Sequence, residues 1–353
     1  MMPESTIAAL LEKEIPGFTM ARAGESFAEL GVDSFAMLEL RIAIEHAIGA
    51  TIPDTVWVQL GSPAQLLVHL GAGPAPVATP PQSPALRRNY TLNMPQMALG
   101  GLSESWLFRE LGDAHWAMIT GGLGAPSSAL RDGNGDRLYA TFTRLRIEAT
   151  VPLARFEENE SLALEGRICR FGAGMFFSEI ALEGGKGRVA ASIMSSFTKR
   201  GSPTSNSNLL KGQPTIPAGC PIADLPAMPL FGHGYRERRS GRLAPALFEA
   251  TYNIIPYYDI NGVGLLYFAA YPIISDICEL KYIDRANGWA LEASTLCRDV
   301  YYFANCDAQD RLIYRVHARQ DTPAGVDLES SLSRASDGAL MAYLVTRKVV
   351  ARG

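Results

Sequence analysis

The sequence predicts an α+β protein, with a small all-α region followed by two units that each combine one long helix with antiparallel strands. Three observations support this fold class. Residues 1–70 show apolar residues at helical spacing, residues 72–88 are rich in proline, and the remainder repeats one order of elements twice. At 353 residues the chain is long enough for two or three domains.

The N-terminal region carries start signals for three main helices and a minor one. An amphipathic helix over residues 5–15 is followed by a long helix that begins at Ser34. Pro53 begins a short helical segment, and Ser62-Pro63 starts the last helix, with serine as cap and proline in the first turn. These segments predict a four-helix bundle over residues 1–71.

The segment Gly31-Val32-Asp33-Ser34-Phe35 stands where an irregular segment turns into the long helix. Ser34 would then lie at a helix N-terminus, where free backbone N–H groups and the helix dipole favour an attached phosphate. An ordinary Asp/Ser cap would explain the same residues. With the surrounding helices, the pattern resembles the attachment site of acyl carrier proteins. This resemblance implies 4'-phosphopantetheine bound covalently to Ser34 beside Asp33, and a phosphopantetheinyl transferase as partner.

Residues 72–88 are predicted to be an extended linker, because they are rich in proline and poor in bulky apolar residues. The charge changes across it. Residues 1–70 contain 9 acidic and 3 basic residues, a balance of −6, and the rest of the chain is close to +2. An acidic carrier beside a mildly basic body should dock favourably.

The body contains two similar halves, residues 89–200 and 246–353. Each begins with a short segment and a glycine-rich turn, continues with a helix-like stretch, and ends in strands with alternating polarity. In the second half, the helix is predicted over residues 265–282. This order predicts a double hot-dog fold, in which each of two curled antiparallel sheets wraps one long helix. A pocket is expected between the two units.

Residues 201–245 connect the halves and are rich in serine, asparagine, proline and glycine. Basic residues in and beside this connection could contact a carrier or a coenzyme A phosphate, although a solvated linker with incidental charges is favoured. These basic residues are Lys199, Arg200, Lys211, Arg236, Arg238, Arg239 and Arg242.

Ordered motifs in both halves resemble the leinamycin-pathway family of bifunctional acyltransferase/decarboxylases. The motifs are Asn93-Met94-Pro95-Gln96-Met97, Gly100-Gly101-Leu102-Ser103-Glu104, Gly112-Asp113-x-His115-Trp116, Leu138-Tyr139-Ala140-Thr141-Phe142 and Tyr257-Tyr258-Asp259-x-Asn261-Gly262. The resemblance implies conversion of a (methyl)malonyl-CoA-like thioester into a decarboxylated acyl group on a carrier, without metal. It also implicates an active-site tyrosine, and here the acceptor would be the chain's own carrier region.

Tyr139, at the start of the strand after the first helix, is the preferred nucleophile. A protonated phenol is a weak nucleophile, so it would need a cationic or strong donor neighbour. Packing of one ring face is the alternative interpretation. His115 could hold the thioester carbonyl or have a structural role. Asn261 could donate an amide hydrogen bond to an oxyanion, or could serve only in an Asn-Gly turn.

Composition excludes several other classes. Five cysteines without a C-x-x-C pair argue against a disulfide framework and a zinc site. The sequence lacks a basic stripe with interleaved aromatic residues, which argues against nucleic-acid binding. No apolar run is long enough to span a membrane. We expect a cytoplasmic enzyme whose partners are acyl-CoA and a downstream polyketide synthase or ketosynthase.

Two other functions remain open. A hot-dog dehydratase or thioesterase would use a histidine with a carboxylate, and His233 with Asp259 is the best available pair. A non-catalytic carrier or docking protein would leave its thioester unchanged. A G-x-S-x-G motif is absent, which argues against a serine hydrolase.

Overall fold

The computed structural model describes most of the chain. The described residues are 4–15, 17–27, 29–32, 34–48, 52–57, 60–71, 85–99, 101–172, 174–202, 205–225, 228–287 and 293–350. They form two compact units, Met1–Pro81 and Gln82–Gly353, here called the carrier unit and the body. Asp33 lies outside the described residues, as do residues 72–84 of the predicted linker. No described helix is long and apolar enough to cross a membrane.

The carrier unit is all-α in the part that the structure describes. Its helices are α1 (Glu4–Glu14), α2 (Ser34–Ile48), α3 (Asp54–Trp57) and α4 (Pro63–Gly71). Apolar side chains at helical spacing form one core, which includes Leu11, Leu40, Ile44 and Leu66. Helix α2 begins at Ser34, as the sequence predicts, so residue 34 stands at a helix N-terminus.

The body is built on one large antiparallel sheet, which confirms the α+β class. Its first half contributes β1 (Ala85–Thr91), β4 (Tyr139–Ala149), β5 (Ser161–Phe171), β6 (Met175–Glu183) and β7 (Arg188–Ser202). These strands pair in the order β1-β5-β6-β7-β4. The second half contributes β10 (Phe248–Asn253), β11 (Ala293–Tyr302), β12 (Arg311–Thr322), β13 (Gly325–Arg334) and β14 (Leu340–Val350). They continue the sheet in the order β11-β14-β13-β12-β10, so the two halves mirror one another across the β4–β11 pair.

Each half also supplies one long helix, α5 (Glu104–Leu123) and α8 (Ala270–Asn287). Helix α5 begins because Ser103 caps it, its hydroxyl accepting from the Trp106 N–H at 3.3 Å. It ends at Gly124, whose φ of 63° lies in the left-handed region that glycine tolerates. Its apolar face, including Leu107 and Leu111, is fully buried.

Shorter elements complete the body. They are β2 (Met97–Ala98), β3 (Gly101–Leu102), β8 (Ser205–Gly212), β9 (Ala223–Asp224), α6 (Tyr235–Ser240) and α7 (Pro256–Asp259). Three boundaries differ from those predicted. Strand β1 begins inside the predicted linker, β8 lies in the predicted connection, and α8 starts at Ala270 rather than at residue 265. Helix α8 starts later because Asn261 organises the preceding residues into a turn, as its hydrogen bonds below show.

A buried ion network joins the halves. Arg298 on β11 is fully buried and contacts Glu279 and Asp276 of α8, each at 3.0 Å, and also Glu104 at the start of α5. The Lys348 ammonium lies 2.5 Å from Asp276. Three carboxylates therefore surround two cations, and the guanidinium neutralises charges that could not be buried alone.

Candidate active site

A cavity of about 1090 Å³ lies in the body and contains two of the predicted site residues, Tyr139 and Asn261. Its walls come from α5, the beginning of β4, β7, β8, α6, the turn over residues 261–268 and the end of β11. Segments of both halves therefore form the cavity, and part of its wall is the turn that displaces the start of α8.

The apolar wall depends on one close approach. The Phe142 ring stacks on the Phe268 ring with their centroids 3.9 Å apart, and Trp116 also lines the cavity. A Cβ atom at Gly112 of α5 would stand only 2.0 Å from Phe268 Cζ. Glycine is therefore needed at position 112 for Phe268 to reach Phe142. The resulting wall offers little solvation to a charged group.

Tyr139 lies at the start of β4 with two guanidinium groups beside its ring. The guanidinium carbons of Arg137 and Arg200 lie 5.2 and 5.6 Å from the ring centroid. Arg200 also donates to the Val263 carbonyl, which holds it against the turn. Both guanidinium groups therefore lie against the aromatic ring, as in a cation–π contact.

Asn261 can serve in the turn and act as a donor, because the two roles use different atoms. Its Oδ1 accepts from the N–H groups of Val263 and Leu265 at 3.1 and 3.0 Å. These bonds shape the turn. Among the described residues its Nδ2 makes no hydrogen bond, and the residue lines the cavity, so the amide donor is available to a ligand.

His115 does not line the cavity, so of the two roles that the sequence leaves open for it the structural one is favoured over the catalytic one. It is fully buried, with Nδ1 2.6 Å from Ser178 Oγ and Nε2 2.8 Å from Ser195 Oγ. Burial lowers the pKa of His115 from 6.5 to about 3, so the ring is neutral. Because both nitrogens are engaged, His115 is a structural link between α5 and the strands β6 and β7.

The structure does not bring His233 and Asp259 together at the cavity. His233 is exposed and lines the cavity. Asp259 is buried elsewhere and accepts from Tyr252 Oη at 3.1 Å and the Ile255 N–H at 2.7 Å. Its carboxylate therefore caps the short helix α7 and is not available as a partner of His233.

Arg137 lines the cavity although no motif in the sequence marks it as a site residue. Its position two residues before Tyr139, at the entry to a strand, could have suggested such a role, because residues i and i+2 share one face of a strand. Of the basic residues in and beside the connection, only Lys211, Arg236 and Arg239 line the cavity. No group of three or more His, Cys, Asp or Glu side chains among the described residues could hold a metal ion.

Comparison with known families identifies the carrier unit. The family model described as "Phosphopantetheine attachment site" matches residues 6–70. The chain therefore contains a phosphopantetheine-binding carrier domain, which is modified by a phosphopantetheinyl transferase. Helix α2 fits this group, because it presents an N-terminus at Ser34 to an attached phosphate. A search of curated protein sequences finds no significant match.

Solved structures resemble the body. The 12:0-ACP thioesterase from Umbellularia californica is 12% identical, with 75% of this chain and 94% of that chain covered and a TM-score of 0.54. An oleoyl thioesterase from Lactobacillus plantarum is 10% identical, with 76% of this chain and 96% of that chain covered and a TM-score of 0.56. An acyl-ACP thioesterase from Bacteroides thetaiotaomicron is 14% identical, with 75% of this chain and 97% of that chain covered and a TM-score of 0.50. At such identities the likeness shows the hot-dog thioesterase fold alone.

Proposed function

We propose that the chain is an acyltransferase with decarboxylase activity, built from an acyl carrier domain and a double hot-dog body. Its substrate is a (methyl)malonyl-CoA-like thioester, and the decarboxylated acyl group ends on the phosphopantetheine arm at Ser34. One observation carries this proposal: Tyr139 lines a cavity with an apolar wall and has Arg137 and Arg200 beside its ring.

In the transfer step, Tyr139 Oη attacks the thioester carbonyl carbon. A C–O bond forms, the C–S bond breaks, and the phenol proton leaves with the thiol. The amide of Asn261 donates to the carbonyl oxygen while that oxygen carries negative charge. The pantetheine arm supplies a thiol acceptor, and acyl transfer to that thiol returns the proton to Tyr139.

In the decarboxylation step, the bond between Cα and the carboxyl carbon breaks and carbon dioxide leaves. The electron pair passes into the carbonyl as an enolate, which then takes a proton from water at Cα. The wall formed by Phe142, Phe268 and Trp116 favours this step because it does not solvate the departing carboxylate. The donor of Asn261 stabilises the enolate oxygen as it did the oxyanion.

The carrier domain is the natural acceptor because the same polypeptide holds it. Residues 72–84 are rich in proline and short of bulky apolar residues, which suits a tether. A tether of this kind gives an effective concentration in the millimolar range. A downstream polyketide synthase or ketosynthase would then take the acyl group from Ser34.

Replacement of one hydroxyl group tests the proposal. Tyr139→Phe keeps the ring, and among the described residues the hydroxyl makes no hydrogen bond, so the stability cost should be about 1 kcal/mol or less. Tyr258→Phe is the matched control, because Tyr258 is exposed and does not line the cavity.

Both variants, carrying phosphopantetheine, are incubated with methylmalonyl-CoA, and intact-protein mass spectrometry follows the acyl group. We expect loading to be lost in Tyr139→Phe and unchanged in Tyr258→Phe. Loading of Tyr139→Phe at the wild-type rate would remove Tyr139 from the mechanism. Release of a free acid, with no acyl group on Ser34, would instead support the hydrolase that the fold neighbours suggest.

A further inference from the structure

The cavity has a basic rim whose side chains form no ion pair with any acidic residue that the structure describes. Four basic side chains line the cavity, here called the cationic rim: Arg137, Lys211, Arg236 and Arg239. Two acidic side chains, Asp113 and Glu237, line it as well. Asp113 is paired with Arg88 at 2.8 Å, which leaves Glu237 as the only unpaired carboxylate among the described lining residues.

Basic residues that do not line the cavity are largely paired, in contrast to the rim. Lys199 contacts Asp132 and Asp136 at 2.8 and 2.6 Å. Arg238 lies 3.6 Å from Glu329. None of the four rim residues forms an ion pair with any residue that the structure describes. The cavity therefore holds four basic side chains that are unpaired within the described part of the chain, whereas Lys199 and Arg238 near the same connection are paired.

Helix α6 is fixed in a position that presents two of these residues. Tyr235 Oη donates to the Tyr302 carbonyl at 2.6 Å, and Arg238 donates to Tyr343 Oη at 3.0 Å. These contacts anchor α6 to β11 and β14. Arg236 and Arg239 are three residues apart on this helix, so their side chains are neighbours on one face.

We propose that the cationic rim binds the phosphate ester of pantetheine, while the attached thioester reaches Tyr139 in the same cavity. This inference rests on the proposed function and names the group by which the substrate is held. Guanidinium groups bind phosphate oxygens through paired, charge-assisted hydrogen bonds. Two molecules carry this phosphate, coenzyme A and the arm on Ser34, so one rim could receive donor and acceptor in turn.

Binding without turnover tests the rim directly. Calorimetry on the full-length Ser34→Ala protein compares phosphopantetheine with pantetheine, which lacks the phosphate. We expect phosphopantetheine to bind about tenfold more tightly or better. Arg236→Gln combined with Arg239→Gln should reduce this advantage, because only Arg137 and Lys211 of the rim remain, and should leave the affinity for pantetheine unchanged. Arg137 is not varied, because it also lies beside Tyr139.

Arg242→Gln is the matched control. Arg242 is an exposed basic residue of the same connection and does not line the cavity. The phosphate advantage should persist in this variant. Equal affinity of the two probes for the Ser34→Ala protein would overturn the proposal. So would an advantage that is undiminished in the double variant.

Two kinetic arms, run with Ser34 intact, distinguish the sources of the phosphate. With methylmalonyl-CoA as donor, slower turnover in the double variant indicates a role in binding coenzyme A. Methylmalonyl-pantetheine, used as donor instead, has no phosphate. Slower loading of Ser34 in the double variant then indicates that the rim holds the phosphopantetheine arm. If the double variant changes the rate in neither arm, the proposed role of the cationic rim is contradicted. Failure of the wild type to turn over any thioester, with the phosphate advantage intact, would contradict only the proposed function.

Discussion

Lowering the pH should destabilise the body through His115, which is buried as a neutral ring. Burial lowers the pKa of His115 to about 3, and an exposed histidine in the unfolded chain titrates near 6.5. Above pH 6.5 the ring is neutral in both states, so the full stability contribution is present. Below pH 6.5 the ring binds a proton in the unfolded state but stays neutral in the folded state. The stability contribution of His115 is therefore lost as the pH falls toward 3.

The size of the loss follows from the interval between the two pKa values. At pH 5 the pH is about 1.5 units below the pKa of the ring in the unfolded chain, whereas the ring in the folded protein is still neutral. At about 1.4 kcal/mol for each unit, the free energy of unfolding should fall by about 2 kcal/mol between pH 7.5 and pH 5. Carboxylates titrate over the same range, so a variant must isolate this contribution.

His115→Gln removes the titrating group. The variant should be less stable than the wild type at both pH values, because the hydroxyls of Ser178 and Ser195 are buried and lose their partners. That cost is about 1–3 kcal/mol for each unpaired hydroxyl. Only the pH dependence decides the test: the wild type should lose about 2 kcal/mol more than the variant.

Methionine oxidation by peroxide across a urea series measures this loss within the body. Met118 lies one helical turn from His115 and is 2% exposed, so its oxidation reports unfolding of that region. If wild type and variant lost equal stability between pH 7.5 and pH 5, the ring would not be held neutral, and the reasoning about burial would be refuted.

Two further substitutions test packing and charge in the body. Arg298→Met should destabilise the body by about 3–5 kcal/mol, because three carboxylates would lose their buried cation. Urea unfolding would measure this loss. A cost below about 1 kcal/mol would contradict the role of the ion network. Gly112→Ala should cost about 1–3 kcal/mol and displace Phe268 from Phe142; an unchanged melting temperature would contradict the close approach.

Local periodicity made the regular elements predictable. Strand β5 alternates between buried and more exposed residues along most of its length, as the alternating polarity of its sequence indicates. Helix α5 combines a serine cap, an apolar face and a terminal glycine, which agree with one another. The start of α8 was misplaced because residues 265–269 are apolar for another reason: they line or underlie a cavity.

The site depended on contacts that are distant in sequence. His115 stands in a motif that suggested catalysis, but its ring is held by serines 63 and 80 residues away. No local pattern announces those partners. Similarly, seven basic residues near the connection looked alike in the sequence. Packing of α6 against the sheet distinguishes Arg236 and Arg239, which line the cavity, from Arg238, which does not.

The central claim is that a decarboxylated acyl group reaches Ser34 of the same polypeptide. The most direct test incubates the phosphopantetheine-bearing protein with saturating methylmalonyl-CoA over a series of protein dilutions. Intact-protein and peptide mass spectrometry then identify the acyl group and its rate of appearance. We predict propionyl on Ser34, with a first-order rate constant that is independent of protein concentration, and no stable loading in Ser34→Ala. A carboxylated acyl group retained on Ser34, or a rate constant that rises in proportion to protein concentration, would contradict the claim.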